Sequence, residues 1–376
     1  MSKNKSPLIP IVSTLTIIGL IYLSASLPEA KSTLNDQFYF LKRQFLWVAL
    51  SLVAYFTATK IKLSVISQLS PYLYLISIVL LALIFLPSIG HSSLGAKRWL
   101  NLWGLTLQPS EIVKLTAIIF FSKIFSENKQ TPIKALLLYL IPPLILIILE
   151  PNLSTTVIIF ATIVSLFYLS NGNTLHLTTL LLFTTVAIIL LTISSPYRNK
   201  RLQTLLQINS STTTESYHQK QITLTLGSGG LLGKGLGQSD QKFQFLPKIA
   251  TDSIFAVIGE ELGFVGTVTI IGLYITLITH LLRLSKKLNN QYASLLTAGV
   301  ACWLGYQTII HLAAVTSLIP LTGVPLPFIS YGGSALLCLS FAIGLIYNIE
   351  KNYAKEDYSH RRHPPHPRHR TNQAIT

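Results

Sequence analysis

Carboxylates are scarce in this chain. Only 13 of its 376 residues are acidic, and an acid inside or beside a long apolar run, where an ionised side chain is costly, marks function by default. Asp252, in Pro247-Lys248-Ile249-Ala250-Thr251-Asp252-Ser253, sits at the mouth of an apolar segment and could accept a proton as a general base. Thr251 or Asp252 could equally cap the helix that follows, since both types are favoured N-caps, and the two roles are compatible. Glu260 and Glu261 lie further in. At 100° per residue Glu260 falls about 80° from Asp252 and Glu261 on the opposite side, and a structural ion pair accounts for at least one of them. Glu111 and Lys114 are three apart, neighbours on one helix face, after the helix-start signal Gln108-Pro109-Ser110. They read either as a self-satisfied salt bridge or as a cation presented to an anionic substrate. Glu150, before Pro151-Asn152, reads as interfacial.

The stretch between Ile193 and Ser253 is basic. Arg198, Lys200, Arg201, Lys220, Lys234, Lys242 and Lys248 face only Glu215 and Asp240. A basic surface at a membrane interface attracts anions. The ligand could be a phosphate or pyrophosphate on a lipid carrier, or lipid headgroups alone. The same stretch holds a glycine-rich run, Gly227 to Gly237, whose backbone N–H groups could approach an anion. It lacks the dinucleotide spacing, and Gly235 replaces the Ser or Thr that follows a P-loop lysine. A flexible loop with a small helix is the alternative. A second loop, Ile319 to Ser334, carries Pro320, Pro325, Pro327, Gly323, Gly332 and Gly333. No helix survives that composition. Non-helical backbone at membrane depth persists only when buried in protein or lining a cavity, so this loop is a candidate wall of the site.

The elements that position these residues follow from composition. Half the residues are hydrophobic, 11% are charged and the mean hydropathy is +0.54, against about 25% charged in soluble domains. A cytosolic enzyme, a secreted disulfide scaffold and a disordered chain are excluded. Cys302 and Cys338 lie in apolar runs and read as small buried hydrophobes. The expected fold is an all-α polytopic membrane protein of about ten transmembrane helices. Leu8–Leu27 is an uncleaved first span. Further spans are expected near Gln44–Thr59, Pro71–Ile89, Ile112–Phe125, Ile133–Leu149, Leu153–Leu169, Leu175–Ile193, Ser253–Leu282, Ala293–Thr316 and Gly333–Ile349. The long basic extracytoplasmic loop, about 194–252, falls between helices seven and eight. With the N-terminus inside, sixteen lysines and arginines lie in cytoplasmic segments and five in the short outer loops, so both termini are expected in the cytoplasm. Residues 1–350 form the membrane domain and 351–376 a basic, disordered cytoplasmic tail. That tail has no fold with which to read nucleic acid and brushes anionic lipid instead.

Several segments together resemble the SEDS family (shape, elongation, division and sporulation; FtsW, RodA and SpoVE). The pieces are Gly95-Ala96-Lys97-Arg98-Trp99, Gln108-Pro109-Ser110-Glu111 with Lys114, Gly227 to Gly237, Gln241-Lys242, Leu246-Pro247, Thr251-Asp252, Glu260-Glu261-Leu262-Gly263, and Pro325-Leu326-Pro327-Phe328-Ile329-Ser330-Tyr331-Gly332-Gly333-Ser334. Ser24-Ala25-Ser26, Arg43-Gln44 and Gln241-Lys242 lean toward the FtsW branch. The resemblance implies a peptidoglycan glycosyltransferase that polymerises lipid II, an undecaprenyl-pyrophosphate-linked disaccharide-pentapeptide, at the outer face of the bacterial cytoplasmic membrane. It implies a class B penicillin-binding protein and other division proteins as partners, at the septum. The family's essential aspartate falls on Asp252. The implied reaction is inverting: Asp252 takes the proton of the acceptor sugar's 4-OH, and the leaving pyrophosphate meets a clamp drawn from Lys97, Arg98, Lys114, Lys234 and Lys242. Glu111, Ser330 and Tyr331 are further expected contacts. No carboxylate cluster suggests a resident metal, though a Mg or Mn ion bridging the pyrophosphate would need few protein ligands. The family pattern is broken at Asn152, where Asp is usual, at Ser154 (Gly), at Lys248 (Glu), at Ala250 (His) and at His311 (Asn). A lipid II flippase and a non-catalytic division scaffold are the competing readings. The first predicts charges spread along a path through the bilayer, and the second is kept open by the broken positions.

Overall fold

The computed structural model describes residues 6–27, 36, 38–86, 90–93, 96–102, 105–127, 133–170, 172, 214–239 and 249–362, with isolated positions between 175 and 199. Among the described residues are ten α-helices: α1 (Leu8–Leu23, prolonged by a 3-10 turn Ser24–Ser26), α2 (Tyr39–Ala58), α3 (Leu63–Leu83), α4 (Pro109–Glu127), α5 (Ile133–Leu149), α6 (Leu153–Leu169), α7 (Thr214–Ser228), α8 (Ile254–Lys287), α9 (Gln291–Val315) and α10 (Gly333–Arg362). Five segments, Leu8–Ser26, Leu63–Leu83, Ile254–Lys287, Gln291–Val315 and Gly333–Ala354, are long and apolar enough to cross a membrane.

The bundle is built around α9, which packs against α4, α6 and α8 and buries Trp303, Leu304 and Val300. α2 lies along α10, α3 along α4, and α1 against α8. Bulky side chains such as Phe45, Val53, Phe56, Leu138, Phe264 and Ile309 point outward. In water such a girdle would be unfavourable, whereas lipid tails accept it. Between helices the contacts are small and polar, as bilayer packing favours. Ser77 bonds Thr116 at 2.8 Å across α3 and α4, and Ser165 bonds the Tyr306 hydroxyl at 2.6 Å across α6 and α9.

Three expectations need correction. α3 begins at Leu63, eight positions before the expected Pro71, which lies inside the helix. A proline favours the first turn of a helix, but here one missing N–H is tolerated within an otherwise apolar run. The stretch before α4 is a three-stranded antiparallel sheet: β1 (Gly90–Ser93), β2 (Ala96–Leu102) and β3 (Leu105–Leu107), with Gly90 opposite Leu100 and Leu100 opposite Leu107. At the C-terminus, α10 continues past residue 350 to Arg362. The expected span Leu175–Ile193 lies outside the described residues except for isolated positions.

Candidate functional site

The glycine-rich run is a clasp on α8. Gly263 breaks that helix with φ 67° and ψ −166°, a conformation open in practice only to glycine. The break leaves carbonyls of the preceding turn and N–H groups of the following one without helical partners. The run supplies them. Lys234 N donates to Glu260 O at 2.9 Å and Gly235 N to Glu261 O at 3.0 Å, while Phe264 N and Val265 N donate to Gly230 O and Leu231 O at 2.9 and 3.2 Å. The fit is tight: a Cβ on Gly233 would stand 2.2 Å from Glu261 O. Close backbone packing, not phosphate, accounts for that glycine. Fully buried Glu260 accepts bonds from Lys234 Nζ at 2.7 Å and from Ser228 and Ser239, and Glu261 accepts one from Gly237 N at 2.9 Å. The Lys234 charge is therefore matched by Glu260, the structural pair expected for one of the two acids.

Asp252 is half-buried just before α8. The N-cap of α8 is Ser253, which makes no side-chain capping bond, so neither Thr251 nor Asp252 is the N-cap. Ser253 Oγ instead lies 2.9 Å from His218 Nε2 of α7. The loop between α9 and α10 braces this segment from the other side. Ser330 Oγ donates to Thr251 O at 2.9 Å and accepts Leu326 N at 3.0 Å, and Tyr331 N donates to Ala250 O at 2.9 Å. A Cβ on Gly323, whose φ is 66°, would stand 3.9 Å from Asp252 Oδ2. The proline- and glycine-rich loop is thus a wall beside the carboxylate. Ser330 and Tyr331 act on it through the backbone.

The wall rests on a buried network. Lys114 Nζ lies 2.7 Å from Glu111 Oε1 and donates to Gln307 Oε1 at 2.9 Å, with its ammonium 5.4 Å from the centre of the Trp303 ring. Gln307 in turn donates to Pro325 O at 2.9 Å. Glu111 and Lys114 are almost fully buried, 2% exposed each. They hold the loop up and present no charge to a ligand in this conformation. Arg98, on β2, donates to the carbonyls of Glu150 and Pro151 at 2.9 and 2.6 Å, tying the sheet to the α5–α6 turn. Burial pushes the Glu150 carboxyl up to about 8, against the opposing pull of Arg98. Asn152, standing where the family has Asp, caps α6 by accepting Thr155 N at 3.4 Å. Asn and Asp are equivalent in that role, so this departure leaves the local structure intact. Lys97 lies on β2, in register with Ser92. Lys242 and Lys248 lie outside the described residues.

Two further residues touch the wall loop. Arg43, at the start of α2, donates to the Tyr39 hydroxyl at 2.8 Å and also bonds Tyr331, whose ring packs edge-on to Phe40 at 5.2 Å. Its signal was the Arg43-Gln44 pair opening a span. His311 is buried behind the wall, its Nδ1 2.8 Å from Val324 O. A histidine inside a helix gives no sign in sequence of which loop it will meet. Among the described residues no group of three or more His, Cys, Asp and Glu could hold a metal ion.

Fold and site together define a multi-pass helical membrane protein with a carboxylate set in a walled mouth at one end of the bundle. The family model for FtsW/RodA/SpoVE cell cycle proteins matches residues 6–355. The chain is 34% identical over 351 residues to the probable peptidoglycan glycosyltransferase FtsW of Coxiella burnetii, covering 90% of this chain and 94% of that one. It is 33% identical to stage V sporulation protein E of Bacillus subtilis, covering 93% and 98%. In three dimensions it is similar to a chain of a peptidoglycan synthase complex that coordinates polymerization and crosslinking, with a TM-score of 0.76 at 24% identity over 94% of this chain and 99% of that one. The rod shape-determining protein RodA of Thermus thermophilus gives a TM-score of 0.69 at 24% identity over 93% and 97%. The chain belongs to the FtsW/RodA/SpoVE family, the SEDS family that its motifs resemble, and is FtsW-like.

Proposed function

We propose that this protein is a peptidoglycan glycosyltransferase of cell division, which polymerises lipid II at the outer face of the cytoplasmic membrane with Asp252 as general base. The observation that carries this reading is the placement of Asp252. It is half-buried, outside any helix-capping role, and clamped between the start of α8 and the wall loop. A base so held can meet a sugar hydroxyl without first being ordered. The acceptor 4-OH loses its proton to Asp252, and its oxygen attacks the anomeric carbon of the lipid-linked donor. The bond to the diphosphate breaks and the electron pair leaves with the lipid. One displacement inverts the anomeric centre.

With Lys114 and Lys234 engaged by Glu111 and Glu260, the cation proposed to meet the leaving diphosphate is Arg43, which bonds Tyr331 of the wall loop. A divalent ion on that diphosphate would arrive as part of the substrate. Both termini then face the cytoplasm, the protein works at the septum, and a class B penicillin-binding protein crosslinks the strands it makes. In the purified complex with that partner, Asp252→Asn keeps the shape of the side chain but cannot take a proton. Polymer formation from lipid II falls by about 10²–10⁴. Normal polymer yield from this variant refutes the assignment.

A further inference from the structure

The wall loop has no helix to satisfy its backbone, and its buried carbonyls need donors from elsewhere. Three buried side chains supply them. His311 Nδ1 donates to Val324 O and Gln307 Nε2 to Pro325 O, both from α9, and the Tyr274 hydroxyl of α8 donates to Pro327 O. The third bond stands apart. Pro327 O belongs to the peptide that enters Phe328, a buried non-glycine residue with φ 66°. A bulky side chain rarely takes that conformation, and it persists only where the surroundings over-determine it. Here Ile329 N and Ser330 N both donate to Leu326 O, at 3.2 and 3.0 Å, and close the turn. On its other side α1 presses in, since a Cβ on Gly19 would stand 2.5 Å from Ile329 O. Ser330, at the end of the turn, donates to Thr251 O, next to Asp252. Tyr274 and Asp252 lie on opposite sides of the break at Gly263, so α8 does not hold them as one rigid rod. The turn does: from Tyr274 through Pro327 and Ser330 to Thr251, every link is a hydrogen bond or part of one tight turn.

We propose that Tyr274 is a positioning residue for Asp252: its hydroxyl holds the Pro327–Phe328 peptide in the strained turn from which Ser330 fixes Thr251, and so sets where the carboxylate meets the acceptor hydroxyl. This rests on the glycosyl-transfer reading above. Without the hydroxyl, Pro327 O loses its donor and the peptide is free to rotate. Phe328 then relaxes toward negative φ, Ser330 shifts with it, and the Thr251–Asp252 segment loses its brace. Tyr274 is 1% exposed and acts through the loop, so the alignment of the base suffers and substrate affinity does not. A misplacement of about 1 Å caused from a distance can cost about 10²-fold in rate.

The test is Tyr274→Phe, which removes one oxygen and keeps the buried ring, in the full protein complexed with its partner. Lipid II polymerisation gives kcat and KM, and thermal unfolding gives the folded fraction. The expected result is a folded protein with kcat lowered by about 10- to 100-fold and an unchanged KM. A variant that melts earlier but keeps its kcat per folded molecule shows Tyr274 to be structural only and overturns the proposal. Ser330→Ala cuts the other end of the same tether and should lower kcat in the same way, and the double variant should lose no more than the worse single one. Losses that multiply overturn the tether. So does full kcat in Ser330→Ala, a result that stays decisive should Tyr274→Phe not fold. Asp252→Asn, run alongside, separates the two readings. Polymer from that variant removes the base itself, whereas its silence beside a fully active Tyr274→Phe removes only Tyr274.

Discussion

The break in α8 makes a quantitative demand on Gly263. Replacing it with alanine places a methyl group where φ is 67°, and that Cβ would stand 2.2 Å from Gly233 N. The backbone conformation alone costs about 1–3 kcal/mol for a non-glycine residue. Overpacking against rigid backbone costs about 1–3 kcal/mol more, for roughly 2–6 kcal/mol in all. Alanine also favours continuing the helix, which would expel the clasp and separate Glu260 from Lys234. Gly272 supplies the control. It lies in the same helix with nothing within 4 Å of a built Cβ, so Gly272→Ala should be neutral or gain up to about 1 kcal/mol. Thermal unfolding of the two detergent-purified variants reads the difference. At roughly 2 °C per kcal/mol, Gly263→Ala should melt about 4–12 °C below the unmodified protein and Gly272→Ala at or slightly above it. Equal midpoints for the two variants would mean that α8 does not exchange hydrogen bonds with the glycine run.

Glu150 makes stability depend on pH. Its folded value of about 8 lies above its ordinary 4.5, so the folded state holds the proton more tightly than the unfolded chain. That contribution is full below about pH 4.5 and is lost as pH rises through about 8, on the order of a few kcal/mol in total. Glu150→Gln should flatten the decline in melting temperature between pH 5 and 8, and an unchanged slope would show that the carboxyl is hydrated. Lys114→Met leaves Glu111 charged and buried without its cation, a loss of about 3–5 kcal/mol. The double variant Lys114→Met with Glu111→Leu should recover most of the melting temperature, and failure to recover would mean that the ions do more than support the wall loop.

Much of the architecture was legible in the sequence because bilayers impose a simple rule: a helix must be long and apolar throughout. The helix bounds Ile133–Leu149 and Leu153–Leu169 follow from the sequence, since proline, glycine and polar residues punctuate their ends, although both are shorter than the five segments long enough to cross a membrane. Asp252 stood out because an acid beside an apolar span is rare. The wall loop was readable from its prolines and glycines, which deny it a helix. The Glu111–Lys114 contact followed from a spacing of three on one face.

Other features depended on groups distant in the chain. The glycine run could be a cradle or a clasp until Gly263 was seen to break α8 and leave backbone groups that only the run could meet. Lys234 became a structural ion because Glu260 lies against it. The Lys114–Gln307–Pro325 relay, the bond of His311 to Val324 and the approach of Asp252 to Gly323 join segments many residues apart. Sequence determines which stretches enter the membrane, because transfer free energy is a property of local composition. Which charge cancels which, and which carboxylate comes to lie beside the wall loop, depends on a Coulomb and hydrogen-bond geometry that exists only once the helices have packed.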